Sequence, residues 1–337
     1  MQKQKFCKDL NQLSIEELSR IPLNQLRIFQ VPDYIKEALE EVKEELKAKH
    51  ILIRPKIWVS EEWICPDGTA GIGVPFYLGS KRLLRLEKKE VGFVEGETKE
   101  KAKKLIRHEL GHVVDNLFRL RRNRERIKIF GKNSKKYPNR YDIQPYSKNY
   151  VRHLKDGYAQ GHPAEDFAET FAVWLDPHSN WKQKYAKWGC LKKLMFVDKL
   201  MASLSDVRPF AYDKNIYYEI RSMDKTYGKY LLERKKKFNS KDTFWDNLKV
   251  GVKCHARTDE KMKIKHFLSR YGKEIIGPVS FQTKLPKYLV KKMIDDIKKH
   301  NSDLMIDRIL PSKKIMSYHI IDKAKAFINE GRHFIRL

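Results

Sequence analysis

The segment His108-Glu109-Leu110-Gly111-His112 carries the residues of this chain that most clearly predict chemistry. Residues four positions apart share one face of an α-helix, so both imidazoles can reach the same metal ion. Glu109 lies beside them, where its carboxylate can take a proton from a water molecule at the metal. The pattern therefore predicts zinc-dependent hydrolysis, most often of a peptide bond.

An amphipathic helix must hold these two histidines on one face. The segment has apolar residues at helical spacing that would bury one side of such a helix. They are Leu105, Ile106, Leu110, Val113, Val114 and Leu117. Thr98 can cap the start of the helix, and Gly111 would let another backbone pack close to the metal. The alternative is a solvated helix that carries two chance histidines.

A catalytic zinc site needs a third protein ligand. The best candidate is Glu165, in a segment whose aromatic and alanine residues predict a buried helix that begins at Pro163. Glu169 shares a helix face with Glu165 and could accept the spare ring N–H of a ligand histidine while Glu165 binds the metal. Asp115, one turn beyond His112, either supports the site in a similar way or is solvated.

Two stretches of this region can be compared with known families. The first is His-Glu-Leu-Gly-His-Val-Val-Asp-Asn at 108–116, and the second contains Tyr158, Glu165 and Phe-Ala-Glu-Thr-Phe at 167–171. Together they resemble the catalytic domain of the anthrax-lethal-factor type of gluzincin metallopeptidase, over about residues 98–176. The interval from Tyr158 to Glu165 matches that family's pattern, as does an acid four residues after Glu165.

This resemblance implies a complete zinc site. His108, His112 and Glu165 would hold the ion. Glu109 would act as the general base, and Tyr158 would donate a hydrogen bond to the oxyanion.

Other side chains near these motifs could fill the same roles. Tyr158 is also explained as a core residue, in which case Tyr141, Tyr146 and Tyr150 are alternative donors. His153 and His162 are rival ligands, although the proline after His162 predicts that this residue lies in a loop. These alternatives stay open at the level of the sequence.

A wider resemblance involves the segment that follows the second motif. Residues 179–201 contain Ser-Asn-Trp-Lys, Trp188 and Val-Asp-Lys-Leu-Met, and they resemble bacterial proteins described only as zinc-binding metallopeptidases. The two resemblances imply an α+β, zincin-like domain. Its expected parts are a small mixed sheet, an active-site helix with His-Glu-x-x-His and a second ligand helix.

The hydrophobic pattern places these motifs among other elements. It predicts a helix from 33 to about 50, a strand within 51–59 and a hairpin over 71–86. The hairpin is either part of the core or a sheet edge to which a peptide adds as a strand. Further helices are predicted at about 163–176 and 180–204.

The chain is long enough for more than one domain. We predict a polar lead at 1–30, the zincin-like catalytic domain at 31–205, and a basic α/β accessory region at 206–337. The accessory region contains no recognisable nucleic-acid-binding motif. It is predicted to contain helices at about 224–238 and 286–300 and short strands at 275–276 and 279–281.

The net charge of +28 favours anionic partners. Most of this charge is spread along the chain, but residues 119–152, between the two metal motifs, contain twelve basic and two acidic side chains. This segment either recognises an acidic peptide or a substrate bound to nucleic acid, or forms a solvated surface.

Composition also bears on the cellular compartment. No apolar run is long enough to cross a membrane, and the N-terminus lacks the apolar stretch of a secretory signal. Cys7, Cys65, Cys190 and Cys254 are far apart and form neither a zinc-binding pattern nor a disulfide framework. The sequence therefore predicts a cytoplasmic protein, although export by a specialised secretion system would leave no such signal.

These observations favour a Zn²⁺-dependent metallopeptidase that acts on protein or peptide substrates. The principal alternative is a basic nucleic-acid-associated protein with a structural or vestigial zinc site. A third possibility is a metal-dependent amidase that acts on a non-protein amide.

Overall fold

The computed structural model divides the chain into two compact units. The residues it describes are 10–91, 93–138, 141, 144, 147–154, 157–210, 215–238, 261–283, 285, 287–300, 305–307 and 310–329. The first unit is Met1–Tyr137 with Lys148–Asn239, and the second is Pro138–Ser147 with Ser240–Leu337. The catalytic domain predicted at 31–205 lies in the first unit apart from residues 138–147.

The first unit is built mainly of helices around one hydrophobic core. Its described helices are α1 (Ile15–Ser19), α2 (Asp33–Ala48), α3 (Lys81–Val91), α4 (Lys99–Leu117), α5 (Arg124–Phe130), α6 (Pro163–Leu175), α7 (Trp181–Lys184), α8 (Leu191–Ser203) and α9 (Tyr227–Phe238). The helices predicted at 33–50, 163–176 and 224–238 are confirmed. The helix predicted at 180–204 is divided into α7 and α8, because residues 185–190 form turns.

Helices α4 and α6 pack against each other within this core. The hydroxyl of Thr98 accepts a hydrogen bond from the backbone N–H of Lys101 and so caps the start of α4. His162 caps α6, whose residues are buried from Ala164 to Leu175. A helix buried on all sides needs neighbours on all sides, and α4 and α8 supply two of them.

The two helices approach each other closely at Gly111 of α4. A Cβ atom added to Gly111 would lie 2.6 Å from Cα of Ala168 and 3.1 Å from its Cβ and its carbonyl oxygen. Because these atoms belong to α6 itself and cannot rotate away, the site excludes any larger residue. The missing side chain lets the histidines of α4 approach the glutamates of α6.

Replacing Gly111 by alanine should force α4 and α6 apart. We expect the free energy of unfolding of the metal-free protein to fall by about 1–3 kcal/mol through overpacking, and zinc binding to weaken. Denaturant titration measures the first effect and zinc titration the second. Gly272→Ala is the control, because a Cβ added to this helical glycine meets Cγ2 of Ile294 at 3.5 Å, an ordinary van der Waals contact. An unchanged free energy of unfolding in Gly111→Ala would contradict the close packing.

The hairpin predicted over 71–86 is wrong. The strands β1 (Lys56–Ser60) and β2 (Gly71–Pro75) pair in parallel, and the residues that follow β2 lead into helix α3. Leu83, Glu87 and Val91 are buried at intervals of four residues, which is the spacing of one helix face. The apolar run at 83–86 is too short to show this period. The small mixed sheet expected from the sequence is a parallel pair in this unit.

The edge of β2 that faces away from β1 is engaged at Gly73. Its N–H donates to the carbonyl oxygen of Ile64 over 2.7 Å, and the N–H of Ile64 donates back over 3.3 Å. At this residue the chain itself takes the place that an added peptide strand would need.

The polar lead and residues 215–238 pack into the same core as the predicted catalytic domain. The N–H of Tyr227 donates to the carbonyl oxygen of Ile21 over 2.8 Å. Arg234 of α9 places Nε 3.0 Å from Oε1 of Glu87, a fully buried carboxylate on α3. These contacts join both ends of the unit to its centre.

The second unit has a core of its own. Its described elements are β3 (Lys261–Lys263), α10 (Ile264–Thr283), α11 (Lys287–His300), β4 (Met305–Asp307) and α12 (Leu310–Asn329), with β3 and β4 antiparallel. The strands predicted at 275–276 and 279–281 are wrong, since both lie inside α10. Ile264, Leu268, Ile275 and Val279 are buried at helical spacing. The helix predicted at 286–300 is confirmed. Among the described residues of the whole chain, no helix combines the length and apolarity needed to cross a bilayer.

Candidate metal centre

Two nitrogen atoms of α4 and one oxygen atom of α6 converge on one point. Nε2 of His108 lies 3.1 Å from Oε2 of Glu165, and Nε2 of His112 lies 3.2 Å from the same oxygen. The two Nε2 atoms are 3.3 Å apart. Two ligands of a tetrahedral zinc ion with bonds of 2.0–2.1 Å are about 3.3–3.4 Å apart. The three atoms therefore have the spacing that a zinc ion requires of its ligands, and they form a candidate metal-binding group.

A hydrogen bond at Nδ1 of His108 fixes the orientation of this ring. Nδ1 of His108 lies 2.8 Å from Oε1 of Glu169, so the neutral ring donates its N–H to this carboxylate. Nε2 then turns its lone pair toward Glu165 and His112. Three lone pairs that meet in a buried space repel one another unless a cation lies between them, either a metal ion or a proton. The donor set thus fits a divalent metal.

Glu169 is itself held at both oxygens. Its Oε2 accepts the backbone N–H of Leu154 over 2.9 Å, while Oε1 faces His108. Burial alone would raise the pKa of Glu169, but the hydrogen bond with His108, the charges of His153 and His108 and the N–H of Leu154 together outweigh burial and lower it. An ionised, immobile Glu169 keeps the imidazole of His108 in one orientation.

Charges within the group support one another. Burial alone would lower the pKa of His108, but the carboxylates of Glu165 and Glu169 hold it well above its ordinary value. For Glu165, burial acts in the opposite direction, and the two histidines hold its pKa well below its ordinary value. Without a metal, protonated His108 beside ionised Glu165 is therefore favoured.

Glu109 is a further buried carboxyl group at this place. Its side chain follows His108 directly in α4 and is 6% exposed. Burial raises its pKa, while the nearby charges of His108 and His112 lower it less strongly. Glu109 thus differs from Glu165 in having no imidazole that stabilises its charge by a hydrogen bond among the described contacts.

Tyr158 contacts the ring of His108. It lies in the short 3₁₀ turn Tyr158–Gln160 ahead of α6, and its ring centroid is 5.4 Å from that of His108 in an edge-on arrangement. Burial raises its pKa well above the ordinary value, and the charges of Glu165 and Glu109 add to the effect. The phenol therefore keeps its proton and can act as a donor.

Asp115 anchors the segment of the chain that follows α4. Its Oδ2 lies 2.9 Å from Nη2 of the fully buried Arg126 and accepts the side-chain N–H of Asn133 over 3.1 Å. Arg121 adds a longer contact of 3.3 Å. The carboxylate thus fixes the segment after α4 to the end of the helix that carries His112.

The alternative residues have other partners. Nδ1 of His162 accepts the N–H of Ala164 over 3.1 Å, and Nε2 lies 2.9 Å from the carbonyl oxygen of Lys135, so the backbone engages both nitrogens. Nε2 of His153 lies 2.8 Å from the carbonyl oxygen of Lys104.

Among the alternative tyrosines, Tyr150 has a different partner. The ring of Tyr150 lies 4.1 Å from Nζ of Lys193, which pairs with Asp166. Tyr141 falls in the second unit, and Tyr146 lies outside the described residues.

Tyr137 is a residue at this centre that the sequence patterns did not single out. Its Oη donates to Oε1 of Glu165 over 2.9 Å, and its ring stacks on that of His162 with centroids 3.8 Å apart. The only signal in the sequence was its place in the basic segment between the two motifs. Nothing in local spacing indicates a contact between positions 137 and 165.

Comparison with known families covers the region that contains this centre. Residues 96–210 match the model of a family described as "Putative zinc-binding metallo-peptidase". No curated protein and no solved structure gives a significant match to the chain. The match includes both α4 and α6 and supports the wider resemblance, while the narrower one to lethal-factor-type gluzincins stays a prediction.

Proposed function

We propose that this chain is a zinc-dependent peptidase of the gluzincin type, with His108, His112 and Glu165 as the metal ligands. The observation that carries the proposal is the convergence of their three donor atoms within 3.3 Å of one another. A further buried side chain, the carboxyl group of Glu109, lies beside them and is available for proton transfer. The family match over residues 96–210 agrees with this reading.

Four side chains have separate roles in the proposed reaction. When bound, zinc acts as a Lewis acid and lowers the pKa of water to about 7. Glu109 takes the proton of the attacking water and passes it to the leaving amine, a role that its burial-raised pKa suits. Tyr158 donates its O–H to the oxyanion, and its raised pKa keeps that donor protonated. Glu169 holds the ring of His108, and Asp115 holds the chain after α4.

We propose acidic peptides as the preferred substrates. In the basic segment, Arg121 and Arg126 are paired with aspartates, whereas the side chains of Lys135 and Lys136 are exposed. The backbone of Lys135 bonds to His162 at the start of α6, so these lysines lie beside the first turn of the ligand helix. Exposed cations beside a reactive centre attract anionic substrates, and salt weakens the attraction.

The activity is tested with zinc-loaded protein, an unfolded protein substrate and matched peptides with acidic or basic flanking residues. We expect new N-termini in mass spectrometry that a chelator abolishes and added zinc restores. Acidic peptides should be cleaved faster at low salt, and added salt should reduce their advantage.

The same assay separates the alternatives. Cleavage confined to isopeptides would replace the proposal with the amidase function. If every peptide stayed intact while DNA or RNA bound with a steep salt dependence, the nucleic-acid function would be favoured.

A further inference from the structure

Residues 133–137 contact elements at the ends of both helices that carry the candidate ligands. We call these residues the strap. At its first end, Asn133 donates to Asp115 on α4 and accepts from Nη1 of Arg126 over 2.8 Å. Further along, the carbonyl oxygen of Lys135 faces Nε2 of His162, the capping residue of α6. The strap is thus anchored to α4 beyond His112 and to α6 ahead of Glu165.

The last residue of the strap reaches the candidate ligand directly. The two oxygens of Glu165 have different partners: Oε2 faces both Nε2 atoms, and Oε1 accepts the phenol of Tyr137. The ring of Tyr137 lies on that of His162, with planes inclined by only 17°. Because His162 is itself fixed at both nitrogens, it gives the phenol a rigid support.

We propose that the strap is a positioning device for the metal, in which Tyr137 holds Glu165 as a one-oxygen ligand. This inference rests on the proposed zinc site. A carboxylate can rotate about its terminal bond and can bind a metal through one oxygen or two. A hydrogen bond to Oε1 removes that freedom and leaves Oε2 for the ion, as partners of ligand groups do at zinc sites.

The two tyrosines of the centre therefore have separate tasks. Tyr158 contacts His108 and is proposed to act on the oxyanion, so its loss should affect turnover. Tyr137 contacts the ligand Glu165, so its loss should affect the affinity for the ion before any substrate is present. This difference separates a positioning role from a catalytic one.

The test is the zinc dissociation constant of the whole protein, measured by competition with a chromophoric chelator. Tyr137→Phe should weaken zinc binding by about 10–100-fold. Tyr158→Phe should leave zinc binding unchanged and lower kcat. Tyr218→Phe is the control, because the side chain of Tyr218 is 61% exposed.

A second variant tests whether the support of the strap matters. His162→Asn keeps a residue that caps helices well but removes the ring beneath Tyr137. His162→Asn should also weaken zinc binding. The double variant with Tyr137→Phe should have the same zinc affinity as the weaker-binding of the two single variants. Thermal unfolding in a chelator shows whether each variant is folded, and only folded variants enter the cycle.

The outcomes distinguish this inference from the proposed function. Wild-type affinity for zinc in Tyr137→Phe would overturn the positioning role while leaving the metal site intact. Additive losses in the double variant would overturn the route through His162. If the wild-type protein bound no zinc, or if Glu165→Ala bound it equally well, the proposed site itself would fall.

Discussion

Replacing Glu109 by glutamine should lower the rate of peptide hydrolysis by about 10²–10⁴-fold while zinc binding and folding stay unchanged. The amide has the shape of the carboxyl group but cannot take the proton of the attacking water. It also removes no metal ligand, because the three converging donors belong to His108, His112 and Glu165. The kcat of the variant and its zinc content give the two halves of the result.

The matched control for this variant is Glu100→Gln. Glu100 lies in the first turn of the same helix with its side chain exposed, so this variant should keep full activity. Wild-type turnover in Glu109→Gln would contradict the role of Glu109. Loss of zinc together with turnover would show that Glu109 is part of the metal site and not a base beside it.

Glu165→Ala should weaken zinc binding by more than 100-fold, and Glu169→Ala should weaken it less, by about 10–100-fold. The first change removes one of three proposed ligand atoms. The second leaves all three in place but frees the ring of His108, whose Nδ1 loses the carboxylate 2.8 Å away. Zinc dissociation constants of both variants measure the difference.

Burial requires a control for each of these two variants. Glu165 is 5% exposed and Glu169 is 1% exposed, so each alanine leaves a cavity. Glu165→Gln and Glu169→Gln keep the volume and should reproduce the order of the zinc affinities. Equal retention of zinc in Glu165→Ala and Glu169→Ala would refute the ligand assignment.

The elements that carry the candidate site could be predicted because local signals define them. Thr98 and Pro163 mark the starts of α4 and α6, and the apolar residues within each helix recur at helical spacing. Gly111 was a more specific signal, because a glycine within a buried helix indicates a close backbone neighbour. That neighbour, Ala168, could not be named from the sequence, since nothing local specifies which helix lies opposite.

The errors have a common physical cause. Leu83–Leu86 and Ile275–Phe281 are short apolar runs, and such runs fit a buried strand and a buried helix equally well. In both cases, burial at intervals of three or four residues continues beyond the run, through Val91 in α3 and back to Ile264 in α10. The longer period, and not the run, decides the structure.

The contacts that complete the centre were beyond sequence reasoning for another reason. Tyr137 and Glu165 are separated by 28 positions, and the hydrogen bond between them depends on how Arg126 holds Asn133 at the start of the strap. The same holds for the packing of α9 on α3, which joins Arg234 to Glu87 across 147 positions. Such contacts follow from the packing of the whole unit, and no short window of residues encodes them.

The central claim is that one ion lies between two imidazoles of α4 and one carboxylate of α6. Anomalous diffraction at the zinc edge, from crystals of the zinc-loaded protein, tests it most directly. We predict a peak at about 2.0–2.2 Å from Nε2 of His108, Nε2 of His112 and Oε2 of Glu165. A peak at other side chains, or a separation of Glu165 from both imidazoles with no ion between them, would contradict it.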